Sequence, residues 1–337
     1  MIPSHSESNN RYHARINRVV DYIKNNIEHE LSLDTLAEVS QFSKFYFHRI
    51  FKSIIGENLN GFINRSRVEK AAFKLLNSPQ EPVSNIAYDV GFSSPSTFSR
   101  AFKSHFTLSP SEWREKNFQN SKICKVHSNH GQTVCKSGQL SCSIELYIDS
   151  RNNKPIWRIN MKKNLQHDAE KNLSFEVKVE PIEDISIAYI RHQGAYKAND
   201  KVLFQQLFGR LMSWAIPRNL FEPPKSRAFT VYSSGHPDIT EPDKLTVDVC
   251  ISVDPATKVS GEVGMRNLPG GNYAVVELDE ATQEECAQAW DSVFNHWLPE
   301  SGYQPGEGAY FCEHLNNPEQ HPEGLYKVAM YLPVKPL

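Results

Sequence analysis

Residues 86–113 read IAYDVGFSSPSTFSRAFKSHFTLSPSEW, and this stretch decides the fold of the first third of the chain. Ile86, Ala87 and Val90 recur at helical spacing, and Gly91 follows where a positive φ would end a helix. Ser93 and Ser94 are N-cap residues, and Pro95 suits the first helical position. Phe98, Ala101, Phe102 and Phe106 then mark one buried face of a second helix. Its other face carries Ser96, Ser99, Arg100 and Lys103, polar and cationic side chains of the kind that reach phosphates and base edges. The pattern predicts a helix-turn-helix. Taken alone, a polar helix face is more often a solvated surface than a binding one.

The plan occurs twice. Ser32–Ile55, SLDTLAEVSQFSKFYFHRIFKSII, repeats it 51 residues earlier, counted from Ser43 to Ser94. Leu33, Leu36, Ala37 and Val39 make the first helix, Gln41-Phe42 the turn, and Ser43 the next N-cap. Phe47, Ile50, Phe51 and Ile54 face inward, while Phe45, His48, Arg49 and Lys52 face outward. Both second helices carry Phe-x-Arg-x-Phe-Lys, as Phe47 to Lys52 and as Phe98 to Lys103. A connecting helix is expected over 62–76, and a lead-in helix over 11–25 after a polar tail of ten residues.

Residues 11–117 resemble the AraC-type transcription regulators. The residues that carry the likeness are Arg49-x-Phe51-Lys52, Ile86-Ala87 with Gly91-Phe92, Phe98-x-Arg100-x-Phe102-Lys103 and Ser109-Pro110-x-x-Trp113-Arg114. Thr107 departs from it, since the family often places Gly after the second recognition helix. The resemblance implies double-stranded DNA, read in the major groove, as a partner, with RNA polymerase as a further one. Mapped onto the family pattern, Phe45, His48 and Arg49 are base contacts of the first recognition helix, and Ser96 and Arg100 those of the second. Lys52 and Lys103 go to phosphate. For Phe45, core packing is the competing reading.

Charge distribution agrees. The whole chain of 337 residues is near neutral, at −2, but residues 11–117 hold 15 Lys+Arg against 11 Asp+Glu. A basic head on an acidic body suits a DNA-binding domain followed by a domain with another task. The sequence has no apolar run of membrane-spanning length and no signal core, and its six cysteines form no disulfide-rich pattern. A cytoplasmic protein without membrane contact is expected.

Residues 118–172 are rich in Ser, Asn, Lys and Gln and read as a linker with one β-hairpin, alternating over 143–148 and again over 156–159. Cys124, His127, His130 and Cys135 lie close together within it. Their spacing, C-x2-H-x2-H-x4-C, matches no common zinc framework, so no metal site is assigned.

From residue 173 to 337 the chain is duplicated. Strands over 175–179 and 185–190, a helix over 201–215, and strands over 228–232 and 245–253 form the first half. Strands over 263–268 and 270–278, a helix over 283–297, and strands over 309–315 and 326–332 repeat that order. Two tandem βαββ units imply an antiparallel sheet platform with helices on one side and a groove between the halves. The fold class is thus multidomain, all-α followed by α+β.

This half resembles the gyrase-inhibitor-like effector-binding family. The likeness rests on His192-Gln-Gly-Ala-Tyr196, Leu268-Pro-Gly-Gly-x-Tyr273-Ala, Trp297-Leu-Pro-Glu-Ser-Gly-Tyr303, Leu315-Asn-Asn-Pro-Glu319 and Tyr331-Leu-Pro-Val-Lys335. It implies a small-molecule effector whose binding is passed to the attached DNA-binding domain, with no cofactor. Drug-binding members often carry Phe-Glu-x-Tyr before the Asn-Asn-Pro-Glu turn. Counting back from Pro318, Cys312 takes the Glu position and His314 the Tyr position, while Glu313 falls on the opposite strand face. A neutral or weakly polar ligand is expected over a cation, unless a bulge re-registers the strand. Tyr310, Cys312 and His314 are expected on the groove side, with Tyr196, Tyr273 and Trp297 in its walls. Core packing is the alternative for each of these three aromatics.

Two other functions are compatible with this half of the sequence. The C-terminal domain could bind a protein and have no pocket. It could be a small hydrolase using Cys312 and His314, but i, i+2 spacing on a strand separates them by roughly 7 Å, too far for a thiolate–base pair. No catalytic set is assigned, and the expectation is a regulator, not an enzyme.

Overall fold

The computed structural model describes residues 5–78, 80–116, 133–134, 140–148, 155–163, 173–196, 200–232, 240–306 and 308–337. The Cys124, His127, His130 and Cys135 cluster lies outside the described residues.

Among the described residues, seven helices form the N-terminal domain: α1 (His5–Asn25), α2 (Leu33–Ser40), α3 (Lys44–Ile55), α4 (Leu59–Asn77), α5 (Val83–Asp89), α6 (Pro95–Phe106) and α7 over 110–116. α1 begins at His5, so the expected tail is shorter than ten residues. Local signals set the helix ends. Ser32 and Ser94 cap α2 and α6 by accepting from the Thr35 and Thr97 amides, and Pro95 opens α6.

Gly91 makes the tight turn between α5 and α6 at φ 89°, and a Cβ there would lie 2.6 Å from the Ile27 carbonyl. Glycine is required twice over at this position, for the backbone and for the space. Gly56 ends α3 in the left-handed region, whereas α6 ends on Thr107 at φ 62°. A β-branched residue pays for that conformation in steric strain.

Two buried cores share one spine. Ile16, Val19 and Ile23 of α1, Leu36 of α2 and Phe47 and Phe51 of α3 pack against the start of α4 at Phe62 and Ile63. Ile86, Val90, Phe98, Phe102 and Trp113 pack against its end at Val68, Ala71, Ala72 and Leu75. At 19 residues, α4 is roughly 28 Å long and holds the two helix-turn-helix lobes apart. Arg67 ties the lobes by donating to the Ile27 carbonyl at 3.0 Å and the His29 carbonyl at 2.9 Å.

Among the described residues, the C-terminal domain is one antiparallel sheet with two long helices. Its first half is β4 (Leu173–Ile182), β5 (Ile185–Gln193), α8 (Lys201–Ala215), β6 (Ala228–Tyr232) and β7 (Thr246–Ser252). Its second half is β8 (Gly264–Leu268), β9 (Gly271–Ala281), α9 (Gln283–Ser292), β11 (Tyr310–His314) and β12 (Tyr326–Pro336), with the short β10 (Tyr303–Pro305) beside β12. Each half is therefore ββαββ.

The strand order β4-β9-β12-β11-β6-β7-β5-β8 shows that the halves exchange their opening strands. β4 pairs with β9 and β8 with β5, and the pair β11–β6 forms the central seam. β2 (Leu140–Ile148) and β3 (Pro155–Lys163) form the expected hairpin, which extends the sheet through β4, with β1 (Thr133–Val134) on its outer edge. The hairpin is more than linker, because Trp157 and Ile159 enter the core beneath α9.

Cross-strand register separates the two faces. Cys312, Thr230, Val249 and Ile190 lie in one row, and this face carries α8 and α9. Phe311, Val231, Asp248 and Arg191 lie in the adjacent row and point to the reverse face.

Candidate nucleic-acid interface and ligand groove

α3 and α6 bury equivalent residues and expose equivalent residues. Phe47 and Phe51 of α3 match Phe98 and Phe102 of α6, all fully buried. His48, Arg49 and Lys52 are exposed on α3, and Ser96, Arg100 and Lys103 on α6. Among the described residues, no hydrogen bond or ion pair holds Arg49 or Arg100, so both guanidinium forks are presented to solvent. The side chain of Phe45 lies outside the described part. Tyr46, 60% exposed, belongs to the same surface and lies outside the set that the sequence pattern assigns. Its position matches Thr97 of α6, a signal that the 51-residue offset would have given.

On the helix face of the C-terminal sheet, Tyr310 stacks on its cross-strand neighbour Tyr232, with centroids 4.9 Å apart and planes at 19°. Trp290 of α9 meets Tyr310 edge-on at 5.2 Å, and Phe294 lies 5.7 Å from it. Across the floor, the His314 Nε2 and Thr230 Oγ1 are 2.8 Å apart, and Phe208 of α8 packs on the His314 ring at 5.4 Å. Cys312 is buried between them, opposite Thr230. The sheet face between α8 and α9 thus carries an aromatic wall and a hydroxyl-imidazole pair, with no carboxylate among its described residues.

Burial pushes the Cys312 thiol well up and the His314 imidazole down to about 4. Desolvation also raises the Tyr232 phenol, helped by Cys312, Tyr310 and Tyr196. Tyr196 lies close enough to act on Tyr232, its ring 6.4 Å from both His192 and Phe204.

Glu313 settles on the reverse face. Arg227 donates to it twice, at 2.7 Å and 2.6 Å, and the Tyr331 hydroxyl donates at 3.0 Å. Strands β11 and β12 run in unbroken register through Cys312, so no bulge turns Glu313 toward the groove.

Two expected wall residues lie elsewhere. Tyr273 shares the reverse face with Phe311 and Tyr331 and donates its hydroxyl to the Pro269 carbonyl at 2.6 Å. Trp297 is fully buried beneath the hairpin, edge-on to Trp157 at 5.6 Å and stacked on Tyr303. The cause is a π-helical turn, Val293–Trp297, that follows α9 and shifts the phase of its last residues. Thr230, Tyr232, Trp290, Phe294 and Phe208 take the places assigned to Tyr273 and Trp297. Among the described residues, no group of three or more His, Cys, Asp or Glu could hold a metal ion, and no helix is long and apolar enough to cross a membrane.

Comparison with known proteins agrees with this division. Residues 36–116 match a helix-turn-helix domain family and residues 175–335 the GyrI-like small molecule binding domain. The multiple antibiotic resistance protein MarA of Escherichia coli is 36% identical over 115 residues, which are 34% of this chain and 90% of MarA. The chain belongs to the AraC-type transcription regulators. The regulatory protein SoxS of the same organism is 33% identical over 101 residues, covering 30% of this regulator and 94% of SoxS. Among solved structures, the EcmrR C-terminal domain aligns with 48% of the regulator and 99% of its own length, at 13% identity and a TM-score of 0.40. The regulator is a DNA-binding protein with a GyrI-like small-molecule binding domain attached.

Proposed function

We propose that the chain reads two successive major grooves on one face of duplex DNA through α3 and α6, and that an effector in the α8–α9 groove changes this activity. The observation that carries the DNA part is the paired exposure of Arg49 and Arg100 at equivalent positions on two helices held by one spine. In this reading Arg49 and Arg100 contact base edges with His48, Ser96 and Phe45, while Lys52 and Lys103 neutralise phosphate. RNA polymerase is the remaining partner of the proposal.

The effector is a neutral, planar, aromatic molecule with one hydrogen-bonding group. Stacked Tyr232 and Tyr310 offer π surfaces and the Thr230–His314 pair offers the polar anchor, while Glu313 is committed to Arg227. Catalysis is disfavoured by the same geometry, since burial holds the Cys312 thiol protonated.

Substitution on specific and scrambled duplexes tests the assignment. Arg49→Ala and Arg100→Ala each lower discrimination by about 1–3 kcal/mol, whereas Lys52→Ala and Lys103→Ala weaken both duplexes alike and reduce the salt slope. Equal weakening of both duplexes by the arginine substitutions rejects the base-contact roles.

A further inference from the structure

The two domains share no apolar core. Each of the five buried clusters among the described residues draws on one domain alone. Polar groups join the domains, and most of them gather on β5, with Thr246 of the neighbouring β7 beside them.

Asp21 of α1 reaches the reverse face of the sheet, where its carboxylate accepts from the Tyr189 hydroxyl and lies 2.8 Å from the Arg191 guanidinium. The Arg191 side chain is only 3% exposed and forks onto Asp248 at 2.7 Å and 2.8 Å. Fully buried Asp248 also accepts from Arg266 at 2.8 Å. One turn along α1, Lys24 donates to Thr246 Oγ1 at 3.3 Å. Gln193 Nε2 donates to the carbonyl of Ile55, the last residue of α3. Gly264 leaves the room for this arrangement, because a Cβ there would run into the Tyr189 ring.

β5 carries three of these contacts on alternate residues. Tyr189, Arg191 and Gln193 project to the reverse face, toward α1 and α3. Ala188 and Ile190 project the other way, under α8, and His192 continues that side toward Tyr196. Gly194 then turns the chain, its amide donating to the Leu245 carbonyl at 2.9 Å.

We propose that the C-terminal end of β5 couples the groove to the DNA-binding domain. Tyr189, Arg191 and Gln193 clamp α1 and the end of α3 from one face of the sheet, and His192 and Tyr196 border the groove from the other. The strand acts as a two-sided bar: a shift that accommodates a ligand beside Tyr196 moves the clamp on the recognition-helix lobe. A buried ionic cluster suits this task, because it fixes geometry more than it adds adhesion. A packed element of this kind changes between discrete arrangements. The recognition faces stay exposed while the clamp is closed, so the clamp positions the DNA-binding domain and does not mask it.

The proposal rests on the groove reading, and the test separates the two. In the full chain, the affinity for a selected duplex is measured with and without N-phenylnaphthylamine, a neutral aromatic fluorophore, alongside amide hydrogen exchange with and without the duplex. In wild type the probe shifts duplex affinity by about fivefold or more, in the usual range of allosteric coupling. In Asp21→Asn and in Gln193→Ala the shift falls below about twofold, with probe affinity and circular dichroism unchanged; Glu277→Gln on the exposed surface keeps it.

By reciprocity, duplex binding slows exchange across residues 189–196 in wild type and not in Asp21→Asn. Failure of the probe to bind wild type overturns the groove reading, and the exchange arm then decides the clamp alone. An Asp21→Asn protein that keeps the wild-type exchange response overturns the clamp.

Discussion

Replacing Glu313 by Gln removes one charge and keeps the shape of the side chain. The carboxylate is 8% exposed and takes three donors, two from Arg227 and one from Tyr331. In Glu313→Gln one of the two Arg227 bonds meets an amide donor, and the guanidinium loses its counter-charge. Breaking a fully buried ion pair from one side costs about 3–5 kcal/mol. Arg227 is 34% exposed, so water recovers part of this, and the expected loss is about 2–3 kcal/mol. With a urea m-value of about 2 kcal/mol/M, the midpoint of the C-terminal transition falls by about 1–1.5 M.

The companion measurement is dye binding. Glu313→Gln leaves affinity for N-phenylnaphthylamine and for a lipophilic cationic dye unchanged, because this carboxylate lies across the sheet from the groove. Cys312→Glu, which adds a carboxylate to the groove floor, gains cationic dye affinity by about tenfold, a fraction of the roughly 4 kcal/mol that unit charges feel 4 Å apart at an effective dielectric of 20. If Glu313→Gln abolishes cation binding while the urea midpoint stays put, the face assignment is wrong.

Two further outcomes follow from the backbone and from burial. Thr107→Gly relieves a left-handed β-branched residue and stabilises the N-terminal domain by about 1 kcal/mol, read as a rise in its thermal midpoint, because among the described residues Thr107 Oγ1 bonds only the neighbouring Phe106 carbonyl. His314 titrates near 6.5 when unfolded and near 4 when folded, so between these values the unfolded state binds the extra proton. Stability contributed by neutral His314 is therefore complete above pH 6.5 and is lost as pH falls toward 4. His314→Gln flattens this part of the acid limb in urea titrations at pH 4 to 7, and an unchanged slope contradicts it.

The helical domain was legible because its signals are local. Caps, the Gly91 turn and the Phe-x-Arg-x-Phe-Lys repeat all act within one or two turns of chain, and α3 and α6 form where they predict. In the C-terminal half, alternation put Tyr310, Cys312 and His314 on one face correctly. It could not show that Thr230 and Tyr232 complete the floor, since that depends on how β6 registers against β11, 80 residues away in sequence. Tyr273 was misplaced because alternation tells which residues share a face, not which face is up. Trp297 was misplaced by the π-helical turn. The exchange of β4 and β8 between the halves, and the meeting of Asp21 with Arg191, are matters of tertiary topology that no local pattern encodes.

Spacing of the DNA site tests the central claim most directly. Two recognition helices on one spine should read two blocks of sequence about 10 base pairs apart on one face of the duplex. Duplexes selected from a random pool by the full chain would then be rebuilt with five extra base pairs between the blocks, turning one block to the far side. The account predicts two conserved blocks and a collapse to non-specific affinity on insertion, with Arg49→Ala and Arg100→Ala each erasing preference in a different block. A single block, or affinity indifferent to the insertion, would contradict it.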